Sequence, residues 1–315
     1  MATATAPASR RHGRPHKRFD VRKTLWRMRR EWSAYVFLAP GVIVFSVFTV
    51  FALIFAFYLT FHEWNILQPQ KPFIGLQNYK DMIHDEHYRR SIINTFYYTG
   101  GSVPLTMLFG LVVALLLNQP IRLRGLFRTM YYLPVVTPFV VAAILWKWLY
   151  NSSYGLFDYY LLKAHLIDQP LLWLADKNLA MPSVILMSVW SGVGFSMVVY
   201  LAGLQSIPEE LYEAAKVDGA GPFARLRYVT IPMLRPTTLV LLVVGIIGSF
   251  QIFTQIYIMT NGGPAERTTT MVFFIYQAAF KFYEFGYAST LAFGLFALLF
   301  VVTLVQLRLY RRADL

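Results

Sequence analysis

Six long apolar runs, separated by polar segments, dominate the pattern of hydrophobic positions along the chain. None of the six contains Asp, Glu, Lys, Arg or His. Each has about the 20 residues that an α-helix needs to cross the hydrocarbon core of a bilayer. The pattern therefore predicts an all-α, polytopic membrane protein with six transmembrane helices. The predicted spans are Tyr35–Phe61, Ser91–Leu117, Thr129–Trp146, Asn178–Leu204, Pro236–Ile258 and Gly286–Leu307.

A shorter apolar run and several Gly and Pro residues modify this plan. The run Thr268–Phe280 has only 13 residues, too few to cross a bilayer, so we expect a re-entrant or an interfacial helix. Broken helices are typical of bundles that line a pathway. Three spans are predicted to be interrupted: the second at Gly100, Gly101 and Pro104, the third at Pro134 and Pro138, and the fifth at Gly245 and Gly248.

The distribution of Lys and Arg predicts the orientation of the spans. Of the 29 Lys and Arg residues, 20 lie in the terminal segments and the loops 118–128 and 205–235, and 9 lie in the other three loops. The 16 acidic residues divide into 7 and 9 between the same two sides, so the net charge of +13 falls on one side. Because positively charged segments stay in the cytoplasm, both termini are predicted to be cytoplasmic.

Three regions are expected along the chain. Residues 1–34 form a basic cytoplasmic arm that lacks an apolar pattern over residues 2–20 and is predicted to be mostly disordered. Its charge favours contact with membrane lipid and a role in orientation over binding of nucleic acid. Residues 35–310 form a single transmembrane domain, in which the polar loop 205–235 lies between spans 4 and 5. Residues 311–315 form a short cytoplasmic tail.

The sequence offers few groups for catalysis. It has no Cys, and all six His lie outside the spans, so no nucleophile activated by His is expected at membrane depth. His84 and His87 would share one face of a helix, but a solvated loop helix explains them better than a metal site. A phosphate-binding loop of the G-x-x-x-x-G-K-[ST] type is absent, so the chain is not expected to hydrolyse ATP. The spans also lack the ionisable residues of ion-coupled transporters.

Uncharged polar side chains cluster in the fourth and fifth spans. Gln251 and Gln255 are one helical turn apart and are expected to share a face. Hydrogen bonds between helices are one explanation for such residues, and a polar route for a solute, with aromatic rings that stack on sugars, is the other. The candidates for this route are Trp190, Ser191 and Ser196 in the fourth span and Gln251, Thr254 and Gln255 in the fifth.

The loop 205–235 has the pattern of two short amphipathic helices. Ser206 and Glu209 have the spacing of a capping box, so a first helix is expected over "EELYEAAKV". Gly219 is placed to end it in a left-handed conformation, and Pro222 is placed to open the second helix. Because helices this short are not stable alone in water, the pattern indicates an element that docks on another surface.

The loop resembles the EAA motif of the membrane subunits of bacterial ABC importers, E-A-A-x-x-x-G followed nine residues later by I-x-L-P. The matching residues are Glu213, Ala214, Ala215, Gly219, Val229, Ile231 and Pro232, with one aliphatic residue replacing another at the first two positions of the second block. Three further blocks resemble the carbohydrate branch of these importers: "TNGGP" (Thr260–Pro264), "RGLFRTMYYLP" (Arg124–Pro134) and "FIGLQNY" (Phe73–Tyr79). The resemblance covers about residues 35–310.

The resemblance implies a permease subunit of a binding-protein-dependent importer for a sugar or sugar-like solute, in a bacterial or archaeal cell membrane. It also implies four kinds of partner: a second, homologous permease subunit, two ATP-binding cassette subunits, an extracytoplasmic solute-binding protein and membrane lipid. The cassette subunits would bind ATP and Mg, so no cofactor is expected in this chain, and the motif residues would couple it to the ATPase. A channel or membrane scaffold without ATP coupling is the alternative, but it has no need of a docking loop.

Overall fold

The computed structural model describes residues 32–313. In this part of the chain, α-helices and short π-helical turns form the fold, and two isolated β-bridges do not extend into strands. The prediction of an all-α, polytopic membrane protein is confirmed for these residues. Most of the predicted basic arm, residues 1–31, and the last two residues of the predicted tail lie outside the described residues.

The chain divides into two compact units, Met1–Phe55 and Ala56–Leu315. The described part of the first unit holds α1 (Trp32–Phe45), a π-helical turn (Ser46–Phe51) and the start of α2 (Ala52–Leu59). These elements give the candidate span Tyr35–Leu59, which agrees with the first predicted span to within two residues at its end.

The second unit contains long apolar helices joined by segments with short helices. Two π-helical turns, Leu226–Thr230 and Gln277–Lys281, extend α10 and α14 of the helices named next. In chain order the helices are α3 (Gln77–His84), α4 (Glu86–Leu117), α5 (Arg124–Val136), α6 (Phe139–Leu149), α7 (Leu156–Lys163), α8 (Ala180–Gln205), α9 (Glu209–Val217), α10 (Pro222–Arg225), α11 (Ile231–Met233), α12 (Arg235–Phe250), α13 (Thr254–Met259), α14 (Met271–Tyr276) and α15 (Phe285–Ala313).

Helices α4 and α8 pack side by side and run in the same direction. A Cβ atom added at Gly101 would lie 2.8 Å from the side chain of Ile185, and one added at Gly110 would lie 2.5 Å from the Cβ atom of Ser196. The two pairs are nine and eleven residues apart along α4 and α8, which fixes the parallel direction. Because real Cβ atoms are not found this close to other atoms, the glycines allow the close approach of the two helices.

Helix α12 runs antiparallel to α4 and α8. Near its end, Ser249 donates a hydrogen bond of 2.9 Å to the hydroxyl of Thr99, in the first half of α4. Near its start, Thr237 faces Gly203 at the end of α8. The loop between α8 and α12 therefore lies at one end of the bundle, which we call the loop face, and the starts of α4 and α8 lie at the other end, which we call the opposite face.

The number of spans depends on how bent helices are treated. Four helices are long and apolar enough to cross a membrane, and two bent pairs raise the number to as many as six. The first pair joins α5 and α6 at 97°, and the second joins the segment Pro222–Met233 to α12 at 62°. The break between α5 and α6 confirms the predicted interruption of the third span at Pro138.

Two of the predicted interruptions are wrong. Helix α4 continues through Gly100, Gly101 and Pro104 without a break, because proline in an apolar helix is tolerated where neighbouring helices pack around it. The fifth span is broken not at its glycines but after Phe250, and α13 starts only at Thr254.

The segment that precedes α14 is bound to the start of α4 by hydrogen bonds. The amide nitrogen of Asn94 donates to the carbonyl oxygens of Glu266, at 2.8 Å, and Thr269, at 2.9 Å. The backbone N–H of Met271 donates to the hydroxyl of Thr95 at 3.0 Å. Helix α14 and its π-helical turn form a short apolar helix, Met271–Lys281, within the seventh apolar run. Whether this helix is re-entrant or interfacial stays a prediction.

Candidate functional site

The loop between α8 and α12, residues 206–234, is here called the docking loop. Its first helix, α9, ends in a Schellman motif, in which Ala220 N–H donates to the carbonyl oxygen of Ala215 at 2.8 Å and Gly219 N–H to that of Lys216 at 3.0 Å. Gly219 has φ +77°, so the predicted left-handed glycine is confirmed. The motif satisfies carbonyl groups that the helix end leaves unpaired and sets the direction in which the chain leaves α9.

The start of α9 differs from the prediction. The helix begins at Glu209 with Pro208 as its cap residue and without a side-chain cap. The hydroxyl of Ser206 donates instead to the carbonyl oxygen of Gly203, at 2.8 Å. The predicted capping box is therefore wrong, because Ser206 is still within bonding distance of the last turn of α8.

A hydrogen bond between side chains joins the two halves of the docking loop. Pro222 opens α10, as predicted. The hydroxyls of Tyr212, on α9, and Thr230, just before α11, lie 3.0 Å apart and share a hydrogen bond, and Thr230 is buried. This contact fixes the angle between the two helices, and the sequence offered no signal for it.

The docking loop exposes several apolar side chains. Val217 is 87% exposed, Phe223 is 79% exposed and Tyr228 is 76% exposed. Among the residues that match the EAA motif, Glu213, Ala214, Gly219 and Ile231 are exposed, whereas Ala215, Val229 and Pro232 are partly buried. Large exposed apolar side chains beside small and charged ones are typical of a surface that binds another protein.

The break in the fifth span lies beside a cavity of about 410 Å³, here called the polar cavity. The chain from Gln251 to Phe253 is not helical, and the carbonyl oxygen of Ile252 accepts a hydrogen bond of 3.2 Å from the hydroxyl of Thr270. This bond pairs one of the backbone groups that the break removes from the helical pattern. A non-helical segment at membrane depth is tolerated where protein or a cavity surrounds it.

Three helices and the break line the polar cavity. The hydroxyls of Ser102 on α4 and of Ser188 and Ser196 on α8 border it, together with apolar and aromatic side chains of α4, α8 and α12. From the break come Gln251, which is exposed, and Gln255, which is 8% exposed. The cavity therefore combines an apolar wall with hydroxyl and amide groups.

The structure places four of the six candidates for the solute route at the polar cavity: Ser196, Gln251, Thr254 and Gln255. The other two, Trp190 and Ser191, do not line it. The ring of Trp190 lies 5.6 Å from that of Trp146, and Ser191 is buried. The expected shared helix face of Gln251 and Gln255 is wrong, because the break separates them. Their role in transport stays a prediction.

The loop histidines lie at the opposite face. His84 ends α3, whereas His87 is in the first turn of α4, so the expected single helix is wrong: Asp85 ends α3 and caps α4. His87 pairs with Glu266 at 2.8 Å. No group of three or more potential metal ligands occurs among the described residues.

A carboxyl group at the opposite face is perturbed by its surroundings. Partial burial and then the neighbouring charge of Glu63 raise the pKa of Glu284. Both residues border a second cavity of about 490 Å³, which Asp81 and Asp85 also line. This face of the bundle is therefore acidic around the cavity.

Comparison with known proteins identifies the family. Residues 106–315 match the family model described as "binding-protein-dependent transport system inner membrane component", which is about two thirds of the chain. The chain belongs to this family. As a permease it is similar, at 36% identity, to a probable ABC transporter permease protein of Pyrococcus horikoshii; the match covers 86% of this chain and 93% of the relative. It is 34% identical to the trehalose/maltose transport system permease protein MalF of Thermococcus litoralis, over 88% and 93% of the two chains.

Solved structures support the same assignment. The permease matches a chain of a bacterial ABC transporter involved in the import of the acidic polysaccharide alginate, with a TM-score of 0.81, 26% identity and 92% and 99% coverage. It also matches a chain of the bacterial alginate ABC transporter in complex with a periplasmic protein that holds an alginate pentasaccharide, with a TM-score of 0.78 and 25% identity over 92% and 98% of the two chains. The fold of the permease is therefore that of an ABC importer subunit.

Proposed function

We propose that this permease forms part of the translocation path of an importer for a sugar or sugar-like solute. The observation that carries the proposal is the break in the fifth span, which brings Gln251, Thr254 and Gln255 to a cavity bordered by serine hydroxyls. Broken helices at membrane depth build the solute sites of many transporters. The trehalose/maltose and alginate relatives support a carbohydrate as the solute.

In this proposal the permease has six spans and both termini in the cytoplasm of a bacterial or archaeal cell. The spans are the four long helices and the two bent pairs, and the Lys and Arg distribution supports the orientation. The loop face is then cytoplasmic. Cysteine labelling from outside tests this cleanly, because the chain has no native Cys. Ala164→Cys should react with an impermeant maleimide and Lys216→Cys should not.

The docking loop couples the spans to ATP hydrolysis in a partner. We expect a second, homologous permease, two ATP-binding cassette subunits that hold ATP and Mg, and an extracytoplasmic solute-binding protein. The solute-binding protein in the alginate complex supports this assembly. The exposed apolar residues Val217, Phe223 and Tyr228 would be covered by the cassette subunit, and Glu213 would pair with a basic group on it.

Uptake by the complex reconstituted in liposomes tests the coupling. Glu213→Lys should leave the spans inserted but weaken binding of the cassette subunit, because loss of one partner of a desolvated ion pair costs about 2–5 kcal/mol. Glu210→Lys is the matched control, since Glu210 is an exposed acid on the same helix outside the EAA match. Equal ATP-driven uptake by the wild type and Glu213→Lys would contradict the proposed coupling.

A further inference from the structure

The polar cavity contains polar groups but no ionisable ones. Asp, Glu, Lys, Arg and His are absent from its lining, all of which lies in the described part of the chain. Lys147, a basic residue at the end of α6, does not line the cavity, and its ammonium group donates to the carbonyl oxygen of Ile258 at 3.2 Å. A solute in this cavity therefore meets hydroxyls, amides and apolar rings, and no charge from this chain.

Gln255 presents an amide with unmet hydrogen bonds. Its side chain is 92% buried, since 8% is exposed, and it borders the cavity. Within residues 32–313, no hydrogen bond joins this amide to another group. A buried amide without partners is costly, and a solute hydroxyl, which both donates and accepts, would satisfy it. By contrast, the hydroxyl of Ser249 is already bonded to Thr99 and to the carbonyl oxygen of Ile246.

We propose that the polar cavity accepts uncharged, hydroxyl-rich solutes and excludes acidic sugars and sugar phosphates, with Gln255 as the specificity-determining contact. An anion that enters a low-dielectric cavity loses its hydration and finds no counter-charge from this chain. A neutral sugar loses hydroxyl–water hydrogen bonds that the amide and the serine hydroxyls replace. The inference rests on the proposed function and adds the class of solute to it.

This selectivity would distinguish the permease from the structurally similar importer of alginate, which is an acidic polysaccharide. The solute-binding protein also selects among solutes before they reach the spans, so uptake alone would mix two filters. The test therefore measures occupancy of the polar cavity itself in the assembled complex, without the binding protein.

Protection of a cysteine in the cavity reports its occupancy. Thr254→Cys places a thiol at the cavity wall of a chain without native Cys. The complex is labelled with a small uncharged maleimide, and modification of this chain is followed by mass spectrometry. The probes are maltose, lactose and galactobiose, compared with digalacturonate, lactobionate and maltose phosphate. We expect at least one neutral sugar to protect the thiol, and each acidic probe to require at least about tenfold more than that sugar for equal protection.

Substitution of the amide tests the role of Gln255. Gln255→Met in the Thr254→Cys background keeps the length of the side chain and removes the amide, so protection by neutral sugars should weaken by about three- to tenfold. Gln306→Met is the matched control, because Gln306 lies in α15 away from the cavity and its buried amide atoms also lack partners among the described residues. The control should leave protection unchanged.

Three results would overturn the inference. Acidic probes that protect as well as neutral sugars would remove the charge selection, and equal effects of the Gln255 and Gln306 substitutions would remove the specific contact. Protection by none of the probes, in a complex that still imports a sugar when its binding protein is added, would move the solute route away from this cavity. Failure of the proposed function itself looks different: no sugar would be imported at all, and ATP hydrolysis would not respond to the loaded binding protein.

Discussion

Gly219→Val isolates the contribution of one backbone conformation to coupling. Gly219 has φ +77°, and a Cβ atom added there would meet nothing within 4 Å. The substitution therefore introduces no steric clash with neighbouring residues, and its cost comes from the left-handed backbone alone. Gly221 is the matched control, because it lies in the same loop with the same open surroundings but has φ −68°, which any residue adopts.

The magnitude follows from the cost of the left-handed region. An L-residue pays about 1–2 kcal/mol there, and a β-branched residue pays more. The two hydrogen bonds of the Schellman motif depend on this conformation, so the penalty falls on the turn that directs α10. A free-energy change of this size lowers the population of the native turn, relative to opened forms, by about 5- to 30-fold. Because it acts on a loop, we expect no loss of the bundle.

The assay compares both variants in the reconstituted complex. Gly219→Val should lower the affinity for the cassette subunit and the ATP-driven uptake of sugar, and its remaining ATP hydrolysis should respond less to the loaded binding protein. Gly221→Val should resemble the wild type. Gly219→Asn should recover part of the activity, because Asn tolerates the left-handed region better than Val. Equal behaviour of Gly219→Val and Gly221→Val would refute the role of the turn.

Other features of the structure predict further outcomes. Gly110→Val should prevent close packing of α4 on α8 and lower the melting temperature of the complex, whereas Gly100→Val, where a Cβ atom meets nothing within 4 Å, should not. Asn94→Leu removes both hydrogen bonds to the segment before α14 and, at about 1 kcal/mol each, should make that segment more sensitive to proteases. The raised pKa of Glu284 means that the folded state binds its proton more tightly, so this group lowers stability as pH rises; Glu284→Gln should reduce that loss between about pH 4.5 and pH 7. Deletion of residues 2–20, which lack an apolar pattern, should leave assembly and uptake intact, and loss of either would show that the arm binds a partner.

The sequence predicted the elements that depend on local chemistry. Apolar runs without charge located the long helices, because a bilayer admits little else. Gly219 and Pro222 were assigned correctly from their backbone preferences alone. Ser206 shows the limit of such rules, since its spacing fits a capping box but its hydroxyl bonds to the carbonyl oxygen of Gly203 instead.

The features that sequence could not predict depend on contacts between distant segments. The break after Phe250 contains neither Gly nor Pro, and it is accompanied by a hydrogen bond from Thr270 to the carbonyl oxygen of Ile252. The bond between Tyr212 and Thr230 likewise joins residues 18 positions apart. A helical periodicity cannot report such partners, so Gln251 and Gln255 were placed on one face when the structure separates them.

The length of α4 joins the two faces of the bundle. The helix has 32 residues without interruption and is therefore about 48 Å long. Near its start Asn94 holds the segment before α14, and near its end Leu115 borders the cavity under the docking loop together with Tyr212. It is a stiff beam rather than a series of hinges. A tilt of about 5° over that length displaces one end by about 4 Å, so a small rotation at one face becomes a movement of atomic size at the other.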